Sequence, residues 1–165
     1  LNGLADDRLR IKVDGMDFEL KQVHFHTPSE NLINGKSYPL EGHLVHANKD
    51  GHLAVVAVMY NEGKANAGLA ALWKQMPAEA GSPVALTGLV LGDRIRGKTL
   101  LPAKRDYYRF SGSLTTPPCS EGVRWLVMKN QATASRAQIE QFSQAMHHPT
   151  NNRPVQPVNG RPVLH

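Results

Sequence analysis

Residues 9 to 20, LRIKVDGMDFEL, alternate apolar and polar positions on both sides of Asp14-Gly15. Period-two alternation marks a half-buried strand, and Asp-Gly between two such runs marks a tight hairpin. QVHFH at 22 to 26 continues in strand. A turn at Asn34-Gly35 leads into a strand over 41 to 47, and HLAVVAVMY (52 to 60), between Asp50-Gly51 and Glu62-Gly63, predicts a third. Strands linked by short hairpins predict a largely antiparallel sheet.

Two segments carry the helical period instead. NAGLAALWKQM (66 to 76) gathers Leu69, Leu72, Trp73 and Met76 on one face and stops at Pro77. Ser135, with Gln138 three residues on, forms a capping-box signature ahead of Ile139, Phe142 and Met146. Between the helices, residues 100 to 130 read as loop and strand, and the Pro- and Asn-rich stretch after 147 reads as irregular chain wrapping the surface. The fold class is therefore mainly β with a few short helices (α+β), around a central, largely antiparallel twisted sheet, in a single domain over 1-165.

Composition narrows this picture. The chain has 165 residues, 41% hydrophobic and 20% charged, enough for one sizeable core. Its longest apolar run, LAVVAVMY, is strand-length and far short of the roughly 20 residues a spanning helix needs, so no membrane span is expected. The net charge is +5, but the 19 Lys and Arg are scattered without a basic run, which argues against nucleic acid as a partner. Cys119 is the only cysteine, so no disulfide forms within these residues. LNGLADDRLR resembles neither an initiator segment nor a signal peptide, and we expect either a processed end or a cut within a longer protein.

The chemistry starts at KQVHFHTPSE (21 to 30). In a strand, residues two apart share a face, so Gln22, His24 and His26 project together while Val23 and Phe25 point to the opposite side. A histidine pair alone is also compatible with a polar strand face. LEGHLVHAN adds a neighbouring strand on which Glu41, His43 and Val45 share one face and His46 takes the other. Three histidines, two from one strand and one from its neighbour, leave open the fourth position of a tetrahedral Zn²⁺, as a catalytic zinc requires. Gln22 and Glu41, each two residues from a histidine, can accept the ring N–H that faces away from the metal. His46, His52, His147, His148 and His165 are read as structural, turn or terminal residues. A second constellation is SGSLTTPPCSEGVRW (111 to 125), where Pro117-Pro118, a candidate for a cis bond, stiffens a loop just after Thr115 and Thr116.

Taken in order, QVHFHTPSEN, LEGHLVHAN, LAVVAVMY and GSLTTPPCSEGVRW closely resemble the α-class carbonic anhydrases, particularly the bacterial secreted ones, and NNRPVQPVNGR (151 to 161) resembles that family's C-terminal segment. The resemblance implies reversible hydration of carbon dioxide to bicarbonate and a proton by zinc-bound hydroxide, with sensitivity to sulfonamides. On it, His24, His26 and His43 are the zinc ligands, and Gln22 and Glu41 their supporting acceptors. Thr115 takes a hydrogen bond from the hydroxide and donates its own proton to Glu30, with Thr116 beside it. Val45, Val55, Leu114, Val123 and Trp125 match the apolar wall where carbon dioxide rests.

The family begins with a longer N-terminal stretch, so these residues are expected to lack part of the pocket wall and a proton-shuttling histidine that would fall near or just before Leu1. Secreted members often bridge a cysteine in that stretch to the position of Cys119, which implies a periplasmic or secreted location. A homodimer is the assembly carried as an expectation. Two other readings stand beside this one. HFHTPSE also reads as the H-x-H-x-x-x-E of a cupin, which favours Fe or Mn, although LTTPP has no role there. A non-catalytic carbonic-anhydrase-like module, or an inactive fragment, is the other.

Overall fold

The computed structural model describes residues 10–76, 100–146, 148 and 150–165. One sheet joins seven strands: β1 (Arg10–Val13), β2 (Met16–His26), β3 (Leu40–Ala47), β4 (Leu53–Glu62), β5 (Tyr107–Ser113), β6 (Glu121–Met128) and β7 (Ala132–Ala134), in the order β1-β2-β3-β4-β6-β5, with β7 also on β4. Among the described residues the helices are α1 (Ala67–Trp73) and α2 (Arg136–Ala145). Asp14 (φ 53°) and Gly15 (φ 75°), and again Asn34 (φ 52°) and Gly35 (φ 75°), both adopt the paired left-handed conformation that a two-residue hairpin turn demands.

Four strand pairings are antiparallel, but β4 runs parallel to both β6 and β7. The expected antiparallel character therefore holds around the hairpins and gives way at the centre. There the partners of β4 are remote in sequence, and a remote connection permits parallel pairing. The sheet curls: Asp14, at the tip of the first hairpin, pairs with Arg109 on β5 and lies 3.5 Å from Arg124 on β6, at the far end of the strand order.

β4 is buried on both faces, which is why its sequence reads as a continuous apolar run rather than an alternation. Its even-numbered residues Ala54, Val56, Val58 and Tyr60 join a core with Phe18, Phe25, Leu44, Leu69, Leu72 and Trp73. The odd-numbered Val55, Ala57 and Met59 join a second core on the opposite face, with Val45, Val123, Trp125 and Val127. The helices cover the first face. Asn66 caps α1 by accepting the Leu69 N–H, and the Ser135–Gln138 capping box of α2 forms in both directions. Gln138 also ties the helices together through Asn66, and its carbonyl accepts the Trp73 indole N–H at 2.9 Å. α1 ends at Trp73 with Lys74 as its C-cap; Pro77, the expected stop, lies outside the described residues, as do Leu1 and His147. Residues 150 to 165 run as irregular chain along β5, joined to it by the bridge between Arg109 and Leu164 and by Arg153 and Arg161, which bond to Ser113 and Ser111.

Candidate metal centre

The pleat brings the three histidines together. β2 and β3 pair with His24 opposite His43 and His26 opposite Glu41, so side chains two apart on each strand meet on the face away from the helices. One nitrogen from each of His24, His26 and His43 falls within 4.8 Å of the others, and His26 and His43 are buried. Burial, with the neighbouring His43 and His26, lowers the pKa of His24 to about 3. Burial first, and then His43, lowers that of His26 despite the opposing pull of Glu30. These rings therefore present neutral lone pairs at physiological pH.

Two of the three rings have their outer nitrogen fixed. His43 directs Nε2–H at Glu41 Oε1 (2.9 Å), leaving Nδ1 toward the cluster. His26 directs Nδ1–H at the backbone carbonyl of Asn151 (3.2 Å), leaving Nε2, a buried atom with no hydrogen-bond partner. Fixing the outer proton fixes the tautomer, which decides the nitrogen that can ligate.

Glu41, fully buried on β3, does more than the sequence indicates. Its Oε2 accepts the backbone N–H of Glu30 (2.6 Å) and Asn31 (2.9 Å), and its Oε1 accepts Asn31 Nδ2 (2.6 Å) as well as His43. Burial alone would raise its pKa, but the hydrogen bonds and charge from His43 and the bonds from Asn31 outweigh that and lower it.

The structure corrects the expectation for Gln22. Gln22 is exposed and makes no hydrogen bond to His24, whose Nδ1 is buried without a partner. The register of β2 on β3 slips between Leu20 and Gln22, and such a bulge sharpens the local twist, here carrying Gln22 outward. Asn151 and Arg153, by contrast, escaped the sequence reading. Besides holding His26, Asn151 accepts the Thr27 N–H (2.9 Å) and donates Nδ2–H to the Phe25 carbonyl (2.9 Å). The Arg153 backbone N–H donates to Glu30 Oε1 (2.7 Å).

Glu30 is buried; its Oε2 lies 3.3 Å from His26 Nε2 and 4.0 Å from His43 Nδ1, without a hydrogen-bond partner. The bond expected from Thr115 to Glu30 is therefore not made in this structure, because Glu30 Oε2 turns to the histidines instead. Thr115 and Glu30 still line one cavity of about 610 Å³ with Trp125 and Arg153. Thr116 is exposed, and the Pro117-Pro118 bond after it is cis. Val45, Val55, Val123 and Trp125 are buried in one apolar cluster, against which Leu114 packs, and the Trp125 ring meets His43 edge-on at 4.9 Å between centroids.

The family profile described as eukaryotic-type carbonic anhydrase matches residues 3–165. The chain belongs to the eukaryotic-type carbonic anhydrase family. A carbonic anhydrase of Pectobacterium carotovorum is 53% identical over 159 residues, and one of Klebsiella pneumoniae is 51% identical over 154. These alignments cover 93% of this chain and 60% of each relative, so the chain spans about 60% of the length of the curated relatives it matches. Among solved structures, the α-carbonic anhydrase of Thermovibrio ammonificans in complex with the inhibitor sulfanilamide superposes with a TM-score of 0.82 at 53% identity, over 92% of this chain and 64% of that one. Dioscorin complexed with ascorbate is similar at a TM-score of 0.77 and 34% identity, over 93% of this chain and 63% of that one.

Carbonic anhydrases of this α class use zinc, and the donor set fits it. Three imidazoles converge from two adjacent strands, two have their tautomers fixed by Glu41 and the Asn151 carbonyl, and His26 Nε2 is buried without any other partner. Three nitrogen donors with one position left over are the pattern of a catalytic rather than a structural zinc site.

Proposed function

We propose that this protein is a zinc-dependent lyase that reversibly hydrates carbon dioxide to bicarbonate and a proton, His24, His26 and His43 holding the metal. The observation that carries the reading is the convergence of three imidazoles, one pinned by Glu41 and one by Asn151, beside a buried apolar cluster. Bound zinc supplies Lewis acidity that brings the ionisation of a water molecule to about neutral pH, and the general account of this effect takes carbonic anhydrase itself as its example.

The chain's own residues do the rest. Glu41 and the Asn151 carbonyl hold two rings in their ligating tautomers, so those two rings need no change of tautomer when metal arrives. Val45, Val55, Val123, Trp125 and the packed Leu114 offer carbon dioxide a wall without hydrogen-bonding demands, and they keep bulk water from competing for the space. Thr115 Oγ1 donates its proton to Glu30 when Glu30 turns toward it, and then offers only lone pairs to the metal-facing space. That selects a solvent species still carrying a hydrogen and orients it toward carbon dioxide. Thr116 lines the approach.

The reading extends to location and assembly. A periplasmic or secreted protein is supported by Cys119, a free thiol among the described residues, for which the resemblance implies a disulfide partner. Cell fractionation with non-reducing mass analysis tests it, and sedimentation equilibrium tests the expected homodimer.

The deciding experiment is stopped-flow carbon dioxide hydration by the zinc-loaded protein over a range of buffer concentrations, with and without a sulfonamide. Fast, sulfonamide-sensitive hydration is expected. Hydration no faster than buffer alone, with zinc bound, sinks the proposal.

A further inference from the structure

We propose that Glu30 is a fourth metal ligand during capture, giving up its position to solvent once the ion is seated on the three histidines. The inference rests on the zinc reading above.

It starts from two buried polar atoms, His26 Nε2 and Glu30 Oε2, that face each other without a hydrogen bond. The outer protons of His26 and His43 are committed to Asn151 and Glu41, so their inner nitrogens face Glu30, and His43 Nδ1 also lies 3.3 Å from His24 Nε2. Glu30 Oε2, itself acceptor-only as a carboxylate, stands 3.3 Å from His26 Nε2 and 4.0 Å from His43 Nδ1, in a side chain only 4% exposed. Acceptors that close, sealed from water, repel unless a positive charge lies between them. A metal ion ligated by all of them satisfies every one, including the orphaned Nε2 and Oε2.

The surroundings hold Glu30 in this pose. Its backbone N–H is tied to Glu41, the same carboxylate that orients His43, and its Oε1 is tied to the Arg153 N–H, which leaves Oε2 as the free arm. The spacing is also right: Glu30 follows His26 by four residues, across a loop already fastened to β3 by Asn31.

Charge explains why such a ligand serves capture and not turnover. Three neutral imidazoles leave a divalent ion its full charge, whereas a carboxylate cancels half of it and weakens the acidity that hydration needs. An anionic donor attracts an arriving hydrated cation more strongly than neutral rings do, and handing over the fourth position restores the full charge. Thr115, on the wall of the same cavity, is the group that Glu30 meets when it turns away.

The test is the rate at which the metal-stripped protein takes up Zn²⁺, followed by competition with a chelating dye, for the parent, Glu30→Gln, Glu30→Asp and Thr115→Ala. Glu30→Gln is expected to slow uptake by at least about tenfold, a size typical of lost metal-site partners, while still reaching about one zinc per chain. Glu30→Asp should fall between, and it carries the test alone if Glu30→Gln does not fold. Thr115→Ala should match the parent. Because salt screens distant charges far more than buried contacts, the slowing should persist at about 0.5 M salt. Equal rates in parent and Glu30 variants, a slowing that salt abolishes, or an equal slowing in Thr115→Ala would each overturn the inference. Failure of the parent itself to bind zinc would instead bring down the three-histidine reading, and this inference with it.

Discussion

The backbone carbonyl of Asn151 accepts the Nδ1–H of His26 across 125 positions of sequence, while the Asn151 side chain grips the strand on either side of that histidine, at Phe25 and Thr27. One residue thus sets both the ring and the backbone that carries it. Asn151→Ala keeps the carbonyl but loses both side-chain bonds. We expect a loss of about 1–3 kcal/mol in stability and about a ten- to hundredfold drop in zinc affinity. Urea unfolding and chelator competition check the two figures, and unchanged affinity would mean that the carbonyl alone positions His26.

Gly42 lies between Glu41 and His43, and a Cβ there would come within 2.8 Å of Phe25 Cε1. Phe25 has little room to yield, since its ring meets Trp73 edge-on at 4.8 Å and Phe142 at 6.0 Å between centroids. Gly42→Ala should therefore cost about 1–3 kcal/mol, the range for overpacked cores. Because the displaced backbone carries a ligand on one side and its acceptor on the other, zinc affinity should fall with it. Unfolding of the metal-stripped and zinc-loaded forms measures both, and a variant as stable as the parent would show that β3 shifts freely.

His46 points to the helix-covered face, opposite His43, with its Nδ1–H on the Leu44 carbonyl (2.8 Å), and burial lowers its pKa from 6.5 to about 4. The folded state therefore binds fewer protons than the unfolded chain between these values, and stability falls as pH drops through that window. By linkage the contribution is about 3 kcal/mol, present above pH 6.5 and lost by about pH 4. Denaturation of parent and His46→Gln from pH 7 to pH 4 should give a visibly shallower slope for the variant; parallel slopes would place the acid sensitivity elsewhere.

His43→Ala and Thr115→Ala separate holding the metal from using it. The first removes a ligand and should abolish most zinc affinity, leaving Glu41 buried without its ring partner. The second should retain zinc and lose hydration rate by about two orders of magnitude, the scale of a lost orienting hydrogen bond in a reacting site. Metal content and stopped-flow rates decide both, and a Thr115→Ala rate equal to the parent's would reduce that threonine to a turn residue.

Much of this centre could be read from residue spacing, because strand geometry fixes what lies two positions away. The meeting of His24, His26 and His43, and the bond from His43 to Glu41, follow from the pleat once the strands are recognised. Gln22 obeys the same spacing and fails, because it sits at a slip in register that the sequence marks only by the adjacent polar pair Lys21-Gln22, where the apolar positions change phase from Phe18 and Leu20 to Val23 and Phe25. The parallel pairing of β4 with β6 and the grip of Asn151 were equally hidden. Both join residues far apart in the chain, and the Asn151 contact to His26 uses a backbone carbonyl, a group that every residue has. Nothing in NNRPVQPVNGR marks one carbonyl over another.

The distance between His26 and Asn151 also orders events at the ribosome. Translation at roughly 5–20 residues per second delivers the 125 intervening positions in about 6–25 s, so all three histidines are outside the tunnel well before their brace. During that interval His43 can already be oriented by Glu41, its neighbour on the same strand, whereas His26 has no acceptor for its outer proton. The cluster thus stays half-organised until residues 151 to 153 dock, and its grip on a metal tightens when they do, which makes the docking of that segment a step in cofactor retention as well as in folding.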